Sequence, residues 1–391
     1  MHILILPSWY KTPQNPVVGT FFEEQARMFL KRGHQVGVLY PRHELRFLGI
    51  TRFGLERTPH VLADNGIPTY YSFTESIIPK VPYPTALDVS IVNKRAMRVY
   101  REYVNKYGKP DILHAHSTLW GGVVAKYISY KENIPYYLTK HFTGWVLFEK
   151  YRTIAAYNRL LEAVTNKSEE TFVVSSFYKD QLLDNYRLNE HKLTVLPNII
   201  NSVFTNGESP IIKLKGRVNL IVIGYLIERK NHLTLFNAIQ ILRDKSIEIK
   251  LNVVGDGPFR EVLETYVAKE GLKEIIHFRG LLDREEVLNQ IQASHILVST
   301  STFETFGVNI IEALAVGRPV VVYDSGGPRD IVRPEDGILF NENTPEAVAH
   351  AIKFAIENYS SYDQRQIAEA CEARFGEEVI YRRLMEYFKG V

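Results

Sequence analysis

The feature that most constrains this chain is an alternation of short apolar strands and helical stretches that runs once, breaks, and starts again. Strands are expected at residues 2–6, 35–40, 111–114, 136–139, 171–174 and 193–196. Helical segments lie between them, the first over 19–31, where Gly33 stops it. Pro197, Asn198, Asn201, Asn206, Gly207 and Pro210 then crowd into one stretch of little periodicity, which reads as a linker. Beyond it, strands are expected at 218–223, 249–254, 275–278, 296–298 and 319–323, and helices at 231–242, 258–269, 284–292, 308–315 and 345–357. Strands that are apolar on both faces and alternate with helices must be covered on both sides, which is the habit of a parallel sheet. The expectation is an α/β chain of two Rossmann-like, doubly wound domains facing a central cleft, with ligands outside the carboxyl ends of the strands. The boundaries expected are 1–200 for the first domain, 201–214 for the linker and 215–372 for the second. A C-terminal helix at about 373–391 would complete the first domain. The 391 residues suffice for such a pair at roughly 100–200 residues per domain.

Composition narrows the function. The single cysteine, Cys371, leaves no intramolecular disulfide framework and no cysteine-built metal site, which fits a cytoplasmic setting. The apolar run at 3–6 is cut by Pro7, far short of a secretory leader. No run reaches the ~18 apolar residues of a membrane span. Charge is unevenly placed: residues 1–200 hold 25 of the 47 Lys and Arg but 17 of the 44 Asp and Glu, while the remainder is net acidic. A basic first half hints at an anionic surface or acceptor on that side, and ordinary surface charge is the plain alternative. No nucleic-acid motif is present, and the aromatic residues are not interleaved with a basic groove. His114 and His116, two apart with no third ligand in view, do not suggest a zinc site.

Several strand exits carry chemistry. In Ser299-Thr300-Ser301-Thr302-Phe303-Glu304-Thr305-Phe306-Gly307-Val308 a strand ends, a polar loop follows and a helix starts near Gly307. Backbone N–H groups at a helix start favour an anion such as a diphosphate. Glu304 lies in that loop. Glu312 lies on the helix among Ile310, Ile311, Ala313 and Leu314, where a carboxylate needs a partner such as the vicinal hydroxyls of a ribose. The alternative is one solvated stripe made by Asn309 and Glu312. In Val222 to Asn231 a strand runs through Gly224 and Tyr225 to the pair Arg229-Lys230; Lys230 could meet phosphate as a point charge, or simply be a solvated lysine. Gly255-Asp256-Gly257-Pro258, His277-Phe278-Arg279-Gly280 and Asp324-Ser325-Gly326-Gly327-Pro328 are further exits of the same kind, and together they would line one rim of the sheet.

This collection resembles the family 4 retaining glycosyltransferases of GT-B fold, over nearly the whole chain. The resemblance rests on Glu304-x-Phe306-Gly307 followed by Glu312-Ala313 and Gly317-Arg318-Pro319-Val320, with seven residues between the two glutamates. The turns at 255–258 and 326–327 match too, as do Gly33-His34, His114-Ala115-His116, Thr139 to His141 and Pro197-Asn198 upstream. It implies that Glu304 binds donor-sugar hydroxyls, that backbone at Phe306, Gly307 and Val308 binds sugar and diphosphate, and that Glu312 holds the ribose. It implies that Lys230 neutralises the departing β-phosphate, that His141 sits near the reacting centre, and that Gly19 approaches the diphosphate from the first domain. Gly224, Arg229, Gly255, Arg279 and Thr305 complete the expected donor-binding set. One position departs: the family usually carries Arg where this chain has Tyr225, leaving Lys230, helix dipoles and Arg229 to grip the diphosphate.

The mechanism implied is stabilisation of charge on the leaving β-phosphate by pre-organised N–H groups and a lysine. No two aspartates stand two apart, as a metal-holding Asp-x-Asp pair would, so the transfer is expected to need no metal or other cofactor. Retention follows from the resemblance and does not require the two carboxylates of glycosidases. The acceptor would be a glycan or lipid-linked saccharide in bacterial surface polysaccharide or glycoconjugate synthesis. Residues 42–57 mix Arg42, Arg46, Arg52 and Arg57 with six large apolar side chains; they could lie on an anionic membrane or form a loop over the acceptor. Residues 93–109 read as the solvated basic face of a helix. Rival readings are another nucleotide-sugar enzyme of this fold, such as an epimerase or a phosphorylase, and a non-catalytic partner that keeps the nucleotide pocket.

Overall fold

The computed structural model describes residues 1–11, 19–44, 61–64, 66–76, 84–141, 154–207 and 209–388. The chain divides into two compact units, Met1–Leu196 with Tyr381–Val391, and Pro197–Ile380.

The first unit is built on strands β1 (His2–Pro7), β2 (Gln35–Glu44), β3 (Val61–Asp64), β4 (Ile67–Glu75), β5 (Ile112–His116), β6 (Tyr136–Lys140), β7 (Thr171–Val173) and β8 (Leu193–Val195). They form one sheet in the order β3-β4-β2-β1-β5-β6-β7-β8. All neighbours run parallel except the edge strand β3. Every residue of β1 and β5 is buried, as central strands covered on both faces require. Helices α1 (Thr20–Lys31), α2 (Ala86–Tyr107), α3 (Val123–Glu132), α4 (Ala155–Asn166) and α5 (Ser176–Asn185) link the strands. Helix α2 starts in a capping box, with Thr85 accepting from the Asp88 amide and Asp88 accepting from the Thr85 amide. It buries Val92, Ala96, Val99, Tyr100 and Tyr103 and leaves Lys94, Arg98 and Arg101 exposed.

The second unit has strands β9 (Val218–Ile223), β10 (Ile249–Val254), β11 (Ile276–Gly280), β12 (Ile296–Ser299), β13 (Val320–Tyr323) and β14 (Gly337–Phe340) in the order β11-β10-β9-β12-β13-β14, all parallel. Its helices are α6 (His232–Asp244), α7 (Arg260–Lys269), α8 (Arg284–Gln292), α9 (Val308–Ala315), α10 (Pro345–Glu357), α11 (Gln364–Phe375) and the start of α12 (Glu377–Phe388). The core under α6 and α10 is aliphatic, with Leu220, Leu235, Ile239, Leu251, Val253 and Ile352 fully buried.

Three differences from the sequence reading have physical causes. The boundary falls after Leu196, and the expected linker at 201–214 is docked on the second unit. Phe204 is buried there, Arg318 donates to the Pro210 carbonyl (2.8 Å) and Gln364 binds both backbone groups of Ile212 (3.0 and 2.7 Å). The chain's end divides: α11 belongs to the second unit, and α12 brings Phe388 into the first, against Tyr137 (ring centroids 4.6 Å apart), His114 and Phe29. A fully buried phenylalanine of this kind contributes about 2–3 kcal/mol. Strands β3, β4 and β14 were not expected: β3 and β14 are four-residue edge strands, and β4 is of mixed polarity. Most of the basic amphipathic stretch at 42–57 lies outside the described residues; Arg42 pairs with Glu44 (2.5 Å) and lies over Phe73. Among the described residues, no helix is long and apolar enough to cross a membrane.

Candidate functional site

In the second sheet the order of strands reverses direction between β9 and β12, and at such a point the two outgoing loops part and leave a crevice at the carboxyl edge. The loops at the strand exits line this crevice. After β9 comes Gly224, then a short turn, Glu228–Lys230, and α6. The Lys230 side chain folds back over Gly224, whose missing Cβ would lie 3.2 Å from Lys230 Cε. After β12 comes the loop that carries Glu304. Lys230 Nζ donates to Glu304 Oε1 at 2.5 Å, so an ion pair bridges the two lips.

Backbone ties hold that pair in place. The Thr302 amide donates to the Arg229 carbonyl (2.9 Å), Arg229 Nη1 to the Phe303 carbonyl (2.5 Å) and Thr300 Oγ1 to the Asn231 carbonyl (3.0 Å). On the other side the Gly327 amide donates to the Glu304 carbonyl (2.9 Å). A Cβ on Gly327 would strike the Thr305–Phe306 backbone at 2.3–2.4 Å, so only glycine fits this close crossing. Burial by itself would raise the Glu304 carboxyl, but Lys230, Arg229 and a hydrogen bond from Ser301 outweigh it and hold the group below its ordinary range. Glu304 is therefore an anion in a largely dry site, compensated by the lysine. Beside it His232 is pushed down to about 4 by burial and by the charge of Lys230, so its imidazole is neutral.

Gly307 precedes α9 with φ 119°, a conformation that strains any L residue, and no side chain among the described residues caps the helix. The Ile310 amide turns back to the Gly307 carbonyl (3.0 Å), while the amides ahead of it in the first turn have no intrahelical acceptor and face solvent or a ligand. Phe306 turns inward against Phe375 (5.8 Å), so only its backbone faces outward. Asn309 donates to the Ile223 carbonyl at the end of β9 (2.9 Å), and Glu312, 3% exposed, accepts from Arg284 of α8. The solvated stripe considered for these two residues is thereby ruled out: both are tied to neighbouring elements.

The remaining expected residues divide. Gly255 has φ 131° and a Cβ there would lie 1.9 Å from the Gly224 carbonyl, so the turn after β10 packs directly on the turn after β9. Thr305 and Val308 are half-buried in the loop and first turn of α9. Arg279 is not brought to the pair. It lies on the edge strand β11, exposed, with Nε donating to Asn252 (3.0 Å), and β10 stands between it and β9. Tyr225 is 59% exposed at the crevice mouth, so the position where the family carries Arg is open to solvent. Arg229 is bound to the Phe303 carbonyl and braces the Glu304 loop.

The first unit repeats the strand reversal between β1 and β5, with a different lining. Ser8 Oγ donates to the His116 carbonyl (2.6 Å) and accepts from the Gly121 amide (3.1 Å), stitching the two exits together. Gly19 precedes α1, and a Cβ there would lie 2.9 Å from the Trp9 carbonyl. His141, one residue beyond β6, has Nε2 2.9 Å from His116 Nδ1, and Phe22 packs on both rings. His114 Nε2 lies 2.8 Å from Thr139 Oγ1. Burial pushes His114 down to about 3 and His116 well below the ordinary histidine value, so both are neutral. On the other face of β6, burial brings the Lys140 ammonium down to about 7, with Thr118 Oγ1 as its hydrogen-bond acceptor (3.1 Å).

Residues 18–203 match the profile described as Glycosyltransferase Family 4, and residues 208–372 match that described as Glycosyl transferases group 1. The chain belongs to glycosyltransferase family 4. It is 27% identical, over 90% of its own length and 88% of the relative's, to a Bacillus subtilis protein assigned to teichuronic acid biosynthesis, the putative glycosyltransferase TuaC. It is 23% identical, over 82% and 90%, to alpha-monoglucosyldiacylglycerol synthase of Acholeplasma laidlawii. Among solved structures, Anabaena HepE in complex with UDP superposes with a TM-score of 0.75 at 17% identity, covering all of both chains. Sucrose-phosphate synthase of Thermosynechococcus elongatus gives 0.74 at 17%, covering 100% and 99%. The glycosyltransferase thus has the GT-B fold. Sequence reasoning did not single out Arg284, Asn309 or the Gly327 crossing as parts of the site. Their partners lie 28, 86 and 23 residues away, and no local pattern announces them.

Proposed function

We propose that this glycosyltransferase moves a sugar from a nucleoside diphosphate donor, UDP-sugar before GDP-sugar, to a glycan or lipid-linked saccharide, with retention and without a metal. The observation that carries the reading is the Lys230–Glu304 pair across the strand-reversal crevice, beside the uncapped first turn of α9. A diphosphate and a sugar need a cation and N–H donors at one end and a hydroxyl acceptor at the other. In this reading the α9 amides at Gly307 and Val308 take phosphate oxygens, and Lys230 leaves Glu304 to meet the charge that grows on the β-phosphate. Glu304 then accepts from sugar hydroxyls, and Glu312, its position fixed by Arg284, accepts from the ribose. Gly224, Gly255, Thr305 and Phe306 shape the floor. UDP is favoured because the relatives of this fold include HepE crystallised with UDP and with UDP-glucose. The membrane question rests on the basic face of α2 and the lipid-glycosylating relative, which support a peripheral contact at the inner face of a cytoplasmic membrane.

The test is a panel of nucleotide sugars with saccharide and lipid-linked acceptors, read by nucleotide release with and without EDTA and by the anomeric configuration of the product. Turnover with a UDP-sugar, insensitive to EDTA and giving a retained anomer, is expected. Loss of turnover in EDTA would sink the metal-free step, and silence with every donor would favour a non-catalytic nucleotide-binding partner.

A further inference from the structure

The first unit holds a second opening, set between helices rather than at the strand exits. Helices α2, α3 and α4 part around a cavity of about 490 Å³. Val89 of α2, Val123 of α3, and Leu160 and Val164 of α4 make its walls largely apolar. Tyr127 and Tyr130 of α3 add rings, and Tyr130 is 80% exposed.

Two lysines also line the cavity, Lys126 on α3 and Lys167 just past α4, and no described acidic residue does. Among the described residues neither lysine makes a hydrogen bond or an ion pair. Burial, and then the charge of Lys167, hold the Lys126 ammonium below the ordinary lysine range, so the two cations feel each other. Lys131 adds a third cation, with Nζ 5.5 Å from the Tyr130 ring centre and 5.9 Å from that of Tyr127. A lone solvated lysine needs no partner. Two set side by side over an apolar hollow repel, and an anion between them is attracted to both.

Size separates the candidate occupants. A helix about 10 Å across would fill this volume in about one turn, too little to seat a partner's helix. The volume is that of a small-molecule site, about 300–1,000 Å³. Apolar walls beside cations call for an apolar body with an anionic end. Lysine and tyrosine at the mouth are side chains that keep a polar tip at a lipid headgroup while the rest stays in carbon. We infer that the cavity between α2, α3 and α4 takes one acyl chain of an anionic phospholipid, with the lipid phosphate between Lys126 and Lys167. This site rests on the peripheral membrane contact proposed above for the source of its lipid, and it is independent of sugar transfer. A discrete site for one lipid differs in kind from the spread charge of Lys94, Arg98 and Arg101 on α2, which attracts any anionic surface.

The test is native mass spectrometry and calorimetry of the full chain with three probes below their micelle concentrations. Palmitoyl lysophosphatidylglycerol carries chain and anion, palmitoyl lysophosphatidylcholine carries the chain with a zwitterion, and glycerol phosphate carries the anion alone. Lysophosphatidylglycerol should bind one per chain, about ten-fold more tightly than lysophosphatidylcholine, and glycerol phosphate should not bind measurably. Lys126→Gln combined with Lys167→Gln should bring lysophosphatidylglycerol to the affinity of lysophosphatidylcholine. Val89→Trp, which fills the cavity from a half-buried position, should weaken both lysolipids by about ten-fold. The lysine variants alter surface side chains and keep the test decisive if Val89→Trp does not fold. Equal affinity of the wild type for the two lysolipids, or tight binding of glycerol phosphate, would overturn the site as an acyl-chain and anion pair; lysolipid binding untouched by Val89→Trp would place it elsewhere. Co-sedimentation separates this site from the peripheral contact. Wild type should pellet with phosphatidylglycerol vesicles and not with phosphatidylcholine vesicles. Pelleting with no one-to-one lysolipid binding sinks the cavity and leaves the peripheral contact; no pelleting sinks the peripheral contact, and with it a bilayer as the source of the lipid.

Discussion

The two units share a plan and differ in how they treat charge. Each reverses its strand order between its first strand and its fourth or later neighbour, and each gathers its chemistry at that edge. The second unit places opposite charges there, Lys230 against Glu304, in a site only about one-seventh exposed. The first places imidazoles at the equivalent edge and keeps His114 and His116 neutral by burial. The comparison shows that strand order decides where chemistry is gathered, while burial and pairing decide whether it is ionic. An ion pair suits a partner whose charge changes during reaction; neutral rings suit one recognised by hydrogen bonds.

The largest expected effect tests the ionic side. Lys230→Ala leaves only Arg229 and Ser301 to offset the Glu304 anion and removes the cation proposed to meet the β-phosphate. It should lower kcat by about 10²–10³-fold in a nucleotide-release assay. A loss under about three-fold would remove Lys230 from the mechanism. The next effect separates the two glutamates. Glu312→Ala should weaken binding of the free nucleotide by about ten-fold in calorimetry, while Glu304→Ala should spare it and cut sugar transfer. Equal nucleotide affinity in wild type and Glu312→Ala would refute the ribose assignment.

The smallest effect contrasts the units by pH. A histidine held neutral in the folded state, below its ordinary value of about 6.5, contributes stability that is fully present above that pH. This contribution is lost as pH falls, because the unfolded chain binds the proton more readily. For His114 the loss runs from about 6.5 down toward about 3. Glu304 is lowered as well, but from the carboxylate range, so its contribution is intact above about 4.5 and is lost only as pH falls through its lower folded value. Between pH 6.5 and 5 the histidines act and Glu304 does not. The fall in melting temperature over that interval should shrink by roughly 3–5 °C in His114→Gln, which keeps a group able to bond Thr139, and stay unchanged in Glu304→Gln. An equal response of the two variants would break the contrast.

Much of this was legible beforehand, for reasons that differ by element. The inner strands β1, β5, β9, β10, β12 and β13 are short apolar runs because both of their faces are covered, and a run of that kind has few other places to go. Helices α8, α9 and α10 announce themselves through periodicity. Strand β4 was hidden because Thr69, Ser72 and Thr74 break its apolar pattern, although all three are buried in the fold. The glutamate pair with Gly307 was legible as a motif. Arg279 was placed by the same logic, since it too stands at a strand exit, but β11 lies at the sheet's edge, which the order of strands along the chain does not reveal.

What the sequence by itself determined is therefore the local and the periodic. It specified two α/β units, where the turn-rich interval falls, and which strand exits carry glycine, lysine or glutamate. Tertiary structure alone decided which exits meet. The order 3-2-1-4 brings residues 230 and 304 within one hydrogen bond across 74 positions of chain. It also sets Arg284 on Glu312 and packs Gly327 under the Glu304 loop. Such pairings come from strand order and burial, and both arise from how the whole sheet covers its apolar faces rather than from any short stretch of residues.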